Sequence, residues 1–150
     1  MAKTSKAKDP AAIIAAECTS VRLRMLNRVV TRVYDEALRP RGIKSSQLNV
    51  LVAVSRLGAV RPKDLAERLH LERSTVSRNV DRMVESGWLT IGRGDDDGRS
   101  HTVSITSSGK SLIRETLPDW RRAQRATEKL LGMDAVRGLH TAADGLNKLT

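Results

Sequence analysis

The stretch Pro62-Lys63-Asp64-Leu65-Ala66-Glu67-Arg68-Leu69-His70-Leu71-Glu72-Arg73-Ser74-Thr75-Val76-Ser77-Arg78-Asn79-Val80-Asp81-Arg82-Met83-Val84 reads as two short helices joined by a tight turn. Pro62 suits the first position of a helix, where its missing N–H costs nothing. Ala66 is small where two helices must cross closely, and Val76 is the apolar anchor of the second helix against the first. Leu65, Leu69 and Leu71 are expected to supply the shared core. The turn demands an unusual backbone angle that glycine adopts most readily, and His70 stands there instead. The second helix is expected from Arg73 to Ser86, closed by Gly87. Val76, Val80, Met83 and Val84 follow helical spacing and point inward. The opposite face carries Ser74, Thr75, Arg78 and Arg82, with Ser77 and Asn79 at its edges. Short hydroxyls and arginines permit close approach to base edges and phosphates in a major groove. An ordinary solvated face is the competing reading, but the preceding helix, the turn and the segment that follows all favour the groove.

Working outward, Trp88-Leu89-Thr90-Ile91 and Thr102-Val103-Ser104-Ile105 have strand-forming composition, and the Gly- and Asp-rich run Gly92 to Ser100 between them reads as a hairpin loop. A hairpin directly after the second helix of a helix-turn-helix is a wing. Its tip, Arg93-Gly94-Asp95-Asp96-Asp97-Gly98-Arg99, offers arginine to the strongly negative minor groove. Asp97 is expected to pair with an arginine and brace the loop, leaving Arg99 for DNA. Arg73 and Arg93 complete the candidate DNA-binding set. Upstream, Asp9-Pro10 starts a helix expected to run unbroken to Leu38, where Pro40 stops it. Its apolar residues, among them Val21, Leu23, Met25, Leu26, Val29, Val30 and Val33, cover more than one stripe and call for two neighbours. Ser45 is expected to cap a helix carrying Leu48, Leu51, Val52 and Val54, ended by Gly58. Downstream, Thr106 caps a helix to Leu131 with Pro118 inside it, and Gly132 separates a last amphipathic helix bearing Val136, Leu139 and Leu146.

The expected fold is therefore mainly α with a small β-hairpin wing: a winged helix-turn-helix with long terminal dimerisation helices. Residues 1–8 read as a disordered basic tail, and residues 9–150 as a single domain. The winged core spans about 45–106, and the dimerisation helices about 10–38 and 107–149.

Composition narrows the function. The chain has 150 residues and a formal net charge of +10, which favours a polyanionic partner through counterion release. Aromatic residues make up 2% and phenylalanine is absent, so the core must be aliphatic. No apolar run approaches the ~20 residues that span a bilayer, and no apolar segment of a signal peptide follows the basic start. With one cysteine, an internal disulfide is impossible, and a cytoplasmic protein is expected. His70, His101 and His140 are scattered without partners at ligand spacing, so no metal site or other cofactor is expected. No serine sits in a nucleophile motif, no Gly-rich phosphate loop follows a strand, and no enzyme is expected.

The segments Leu65-Ala66-Glu67-Arg68-Leu69, Ser74-Thr75-Val76-Ser77-Arg78-Asn79-Val80-Asp81-Arg82, Gly87-Trp88-Leu89, Asp97-Gly98-Arg99-Ser100 and Ile105-Thr106-Ser107-Ser108-Gly109 together resemble the MarR-type transcriptional regulators. That resemblance implies a homodimer held by the first and last two helices, bound to pseudo-palindromic double-stranded DNA. Such regulators are often repressors released by a small aromatic or anionic effector. It implies that Ser74, Thr75, Ser77, Arg78 and Arg82 serve the major groove, Arg99 the minor groove, and Asp97 the wing. Gly98 stands where relatives often carry a second arginine. The resemblance also places an effector cleft where the dimer helices meet the winged unit, drawing on Arg22, Met25, Leu26, Leu112 and Trp120. Trp120 has a competing reading as a core or interface anchor.

Two other regulators remain open. One branch of the family senses oxidants through a cysteine near the start of the first helix. Cys18 does not align with that position, and Arg22 one turn on would be its source of positive charge. A packed structural thiol is the favoured reading. An architectural DNA binder with little sequence preference is the other alternative.

Overall fold

The computed structural model describes residues 9–93 and 101–147. The elements are α1 (Pro10–Glu17), α2 (Thr19–Leu38), a 3₁₀ turn (Arg39–Arg41), α3 (Ser45–Leu57), α4 (Pro62–Arg68), α5 (Arg73–Glu85), β1 (Leu89–Arg93), β2 (His101–Ile105), α6 (Ser107–Leu131) and α7 (Met133–Asn147). Two compact units divide inside α2: one runs to Arg32 and the other begins at Val33. The expected basic tail at residues 1–8 lies outside the described residues.

The N-terminal helix differs from expectation. It is broken at Cys18, whose ψ of 105° is extended. The hydroxyl pair Thr19-Ser20 follows, a residue type that competes for backbone hydrogen bonds and suits helix ends better than interiors. The orphan carbonyls at the end of α1 are met by Arg22, whose guanidinium donates to the Cys18 carbonyl at 3.1 Å and to that of Ala16. The start of α3 also differs. Ser45 is its first residue, not its cap, and Asp35 accepts from both the Ser45 N–H and hydroxyl at 2.7 Å each. Gln47 accepts from the Lys44 N–H at 3.0 Å, closing the same turn.

The second unit is built on an aliphatic core. Leu38, Leu51, Leu65, Val76, Val80, Met83, Leu89 and Val103 are all buried, each contributing roughly 1.5–3 kcal/mol by leaving water. Leu69 packs on this cluster, whereas Leu71 is exposed, contrary to its expected core role. The reason lies in the turn. The Leu71 N–H donates to the Ala66 carbonyl at 3.0 Å and the His70 N–H to that of Glu67 at 3.2 Å, the hydrogen-bond pair of a Schellman helix end. That ending places His70 at a φ of +51° and leaves the Leu71 side chain outside the core. Histidine carries a steric cost there that glycine lacks. His70→Gly is expected to stabilise the chain by about 0.5–1 kcal/mol, seen as a higher urea midpoint with an unchanged slope.

The same ending closes α5. The Trp88 N–H donates to the Met83 carbonyl and the Gly87 N–H to that of Val84, both at 2.9 Å, with Gly87 at a φ of +75°. The chain then turns directly into β1, which pairs antiparallel with β2 in the register Leu89 to Ile105 through Arg93 to His101. Val60 adds an isolated antiparallel bridge by exchanging two hydrogen bonds with Val103, at 3.0 and 2.8 Å. This short bridge ties the α3–α4 connection to the wing.

Candidate nucleic-acid interface

Helix α5 holds its site by burying one face. Val76, Val80 and Met83 are in the core and Val84 is half-buried, so the opposite side must face outward. Arg73, Ser74, Ser77, Arg78 and Arg82 are exposed, and Thr75 and Asn79 are half-buried at the edges. Arg93, at the end of β1, is exposed as well. None of these four arginines has an ion-pair partner among the described residues. They offer positive charge and planar donor forks to any anion that approaches α5. Ser77 has a second environment: with Pro62, Val80, Asp81, Ile91, His101 and Val103 it lines a cleft of about 380 Å³ between α5 and the hairpin. Asp97 and Arg99 lie outside the described residues.

Two clusters hold the elements around this surface, and of their residues only Thr106, as the cap of α6, was expected from the sequence. The first is the junction of α5, the wing and α6. The Thr106 hydroxyl donates to the Gly87 carbonyl at 2.7 Å and accepts from the Gly109 N–H at 3.0 Å. Gly109 itself is buried against the Trp88 carbonyl and Ile105, with no room for a Cβ. A glycine in the first turn of a long helix was the available signal for such a close approach.

The second is the Asp119 cluster. Asp119 accepts from Arg41 Nε at 2.7 Å and from Arg122 at 2.8 Å, and Arg122 also donates to the Ala37 carbonyl at 3.3 Å. This clamps the 3₁₀ turn to α6. The i,i+3 spacing of Asp119 and Arg122 brings that pair together on one face of α6. The hydrogen bond from Arg41, then that from Arg122, holds the Asp119 carboxyl below its ordinary value. A carboxylate with a lowered folded-state pKa adds stability above its unfolded value of about 4, and that stability is lost as pH falls through the folded value. The stability difference between the wild type and Asp119→Asn is therefore expected to be full at neutral pH, to shrink below about pH 4 and to vanish in stronger acid. Urea unfolding at a series of pH values measures it.

A larger cleft, about 530 Å³, lies within the second unit. It is lined by Leu48, Asn49, Val52 and Ala53 of α3, Leu69 at the end of α4, and Ile113, Thr116, Leu117 and Trp120 of α6. Trp120 is thus one of the expected effector residues found at a cavity, and a third of it is exposed. Leu112 packs on the core cluster. Arg22, Met25 and Leu26 stand on the first unit and are exposed. Residues 48–53 and 113–117 were read as core or helix positions. Their periodicity marks an apolar face but does not separate a packed face from one lining a cleft. Among the described residues, no helix is long and apolar enough to cross a membrane.

The MarR family model matches residues 41–100, the segment from the 3₁₀ turn to the wing. The uncharacterized HTH-type transcriptional regulator YwoH of Bacillus subtilis is 31% identical over 88 residues, 59% of this chain and 64% of that protein. The match therefore spans just under two thirds of that relative's length. A MarR mutant from Escherichia coli complexed with operator DNA superposes with a TM-score of 0.78 at 22% identity, covering 89% of this chain and 96% of that one. BpsR of Bordetella bronchiseptica, described for regulation of its DNA binding by 6-hydroxynicotinic acid, superposes with a TM-score of 0.77 at 18% identity, covering 87% and 94%. These likenesses establish a winged helix-turn-helix fold.

Proposed function

We propose, on the premise that residues 41–100 belong to the MarR family and are set in a fold of the same type, that this chain is a sequence-specific double-stranded-DNA-binding transcriptional regulator. It acts as a cytoplasmic homodimer and as a repressor that a small ligand releases. One observation carries the reading: the outward face of α5 gathers Ser74, Ser77, Arg78 and Arg82, while the inward face is locked into the core. A helix so held enters a major groove as a rigid body, with arginines to read guanine edges and hydroxyls to approach closely. Arg93 and the loop after it lie along the adjacent minor groove, with Arg99 inserted and Asp97 bracing it.

The dimer follows from leftover apolar surface. Leu130, Met133, Leu139 and Leu146 on α6 and α7 are exposed, as are Val21, Leu23, Met25 and Val29 on α2. Two-fold association buries such faces and matches a palindromic site. Sedimentation at micromolar concentration is expected to give twice the 16.5 kDa chain mass; a monomer there removes the half-site arrangement.

Selection from a pool of random duplexes tests the DNA reading. The expected product is a pseudo-palindrome with half-sites about one turn, ~34–36 Å, apart. It should be bound at least ~10³-fold more tightly than random duplex at fixed salt. Equal affinity for random DNA would instead identify an architectural binder. Loss of DNA binding on peroxide treatment, abolished by Cys18→Ser, would identify a redox switch.

A further inference from the structure

We infer that the outward face of α6 is a second DNA-binding surface, which grips the phosphate backbone of a duplex separate from the one on α5, so that one dimer joins two stretches of DNA. This rests on the proposed function and adds a second site for the same kind of partner.

The distribution of charge leads there. Residues 41–100, which hold the DNA-reading unit, carry 11 lysines and arginines against 8 aspartates and glutamates, a net of +3 out of +10 for the whole chain. Most of the positive charge therefore lies outside the segment that reads DNA. On α6, Lys110, Arg114, Arg121 and Arg125 follow at intervals of four, seven and four residues, which at 3.6 residues per turn sets them within about 60° of one line. All four are exposed, and none has an ion-pair partner among the described residues. Arg114 donates to the neutral Ser111 hydroxyl at 2.8 Å, which leaves its charge unbalanced. The carboxylates of α6 do not cancel the row. Asp119 is held by Arg41 and Arg122, and Glu128 is half-buried and accepts from Gln124 at 3.0 Å. Glu115 stands about 100° round the helix from Arg114. The row is about 22 Å long at 1.5 Å per residue, a length over which duplex DNA presents roughly 13 phosphate charges. Cations so spaced position a duplex without reading its bases. The inward side of α6, with Leu112 and Ile113, packs on the core that also takes the inward side of α5, and α3 packs against both helices. The two outward faces therefore lie on different sides of that core, and a duplex on α5 does not run along the row. Leu130, assigned to association, is nine residues or about two and a half turns beyond Arg121, on the other side of the helix, so the dimer leaves the row open. A lipid surface would need an apolar face beside the cations to insert, and that side of α6 is turned into the core.

The test is a capture experiment on the full chain. A short duplex carrying the selected palindrome is immobilised and loaded with protein, and a fluorescent random duplex lacking the site is added. The wild type is expected to retain the random duplex, and to release it steeply between about 50 and 200 mM salt. Joint replacement Lys110→Gln, Arg114→Gln, Arg121→Gln and Arg125→Gln is expected to cut retention at least about tenfold and to lower the salt slope by about 3–4, near 0.9 for each lost phosphate contact. Its affinity for the short palindromic duplex should stay within about twofold of wild type. The charge-conserving set Arg114→Lys, Arg121→Lys and Arg125→Lys should keep retention, because a phosphate grip needs charge more than a planar fork. If the fourfold variant melts early, the pair Arg114→Gln and Arg121→Gln replaces it, with about half the change in slope. No retention by the wild type, or equal retention by the glutamine variant, overturns the inference. So does a parallel loss of palindrome and random duplex, which would merge the row with the first site, and so does capture of phosphatidylserine vesicles in place of DNA. If no palindrome is selected the regulator fails by itself, and the row is still tested with random duplex at both positions.

Discussion

Gly109→Ala is expected to destabilise the folded chain by about 3 kcal/mol, at the upper end for overpacking one methyl group into a filled site. A Cβ at this position would overlap the Trp88 carbonyl oxygen and stand 2.8 Å from Ile105 Cγ1. Neither neighbour can yield easily. The Trp88 carbonyl accepts from the Thr106 N–H at 3.1 Å, and its own N–H closes α5 by bonding Met83. Ile105 is held in register opposite Leu89. Relief therefore requires α6 to move away from the wing. For a chain of this size the loss corresponds to a fall of roughly 6–12 °C in melting temperature. Gly138→Ala, on α7 with nothing within 4 Å of a Cβ, is the control and should cost nothing. A Gly109→Ala protein as stable as wild type would mean that the junction of α5, wing and α6 is not close-packed.

Arg78→Ala is expected to weaken binding to the selected duplex by about 1–3 kcal/mol, roughly five- to 150-fold, while leaving random-duplex affinity nearly unchanged. Arg78 sits in the middle of the exposed face of α5, between Ser74 and Arg82 one turn away on either side. It has no ion-pair partner among the described residues to compete for it. Its removal leaves the core face of Val76, Val80 and Met83 untouched, so the unfolding midpoint should stay within about 0.5 kcal/mol of wild type. Titration by fluorescence anisotropy at several salt concentrations separates the outcomes. A loss confined to the selected site means that Arg78 reads a base. A uniform loss with a shallower salt slope means that it grips phosphate. Wild-type affinity for both duplexes would remove α5 as the DNA-reading helix.

Where the sequence was read correctly, the decisive information was local. Pro62, Ala66, Val76 and Gly87 specify helix starts, a close crossing and a helix end through their own sterics and backbone freedom, and these need no distant partner. The strand-forming composition of Trp88–Ile91 and Thr102–Ile105, with the Gly- and Asp-rich run between them, placed the hairpin within a residue or two for the same reason. The outward set on α5 followed from helical periodicity, because four apolar positions on one side leave the other side to solvent. Even the positive φ at His70 was legible, since the turn geometry is set by the two helices it joins.

What escaped the sequence depended on contacts between residues 10 to 78 positions apart. Asp35 satisfies the start of α3 in place of Ser45, Val60 joins the wing, and Arg41 meets Asp119 across 78 positions. Polar residues of this kind carry no periodic mark of their partners, because many arrangements of the same helices would leave them equally well solvated. The cleft beside Trp120 is of the same nature. Apolar spacing on α3 and α6 established that both helices have faces to bury. Only the packing of those helices in three dimensions decided that Leu48, Val52 and Leu117 border a cleft while Leu51 and Val54 fill the core. The hydrophobic effect is non-directional: it dictates that such residues leave water, and tertiary geometry alone assigns which surface they meet.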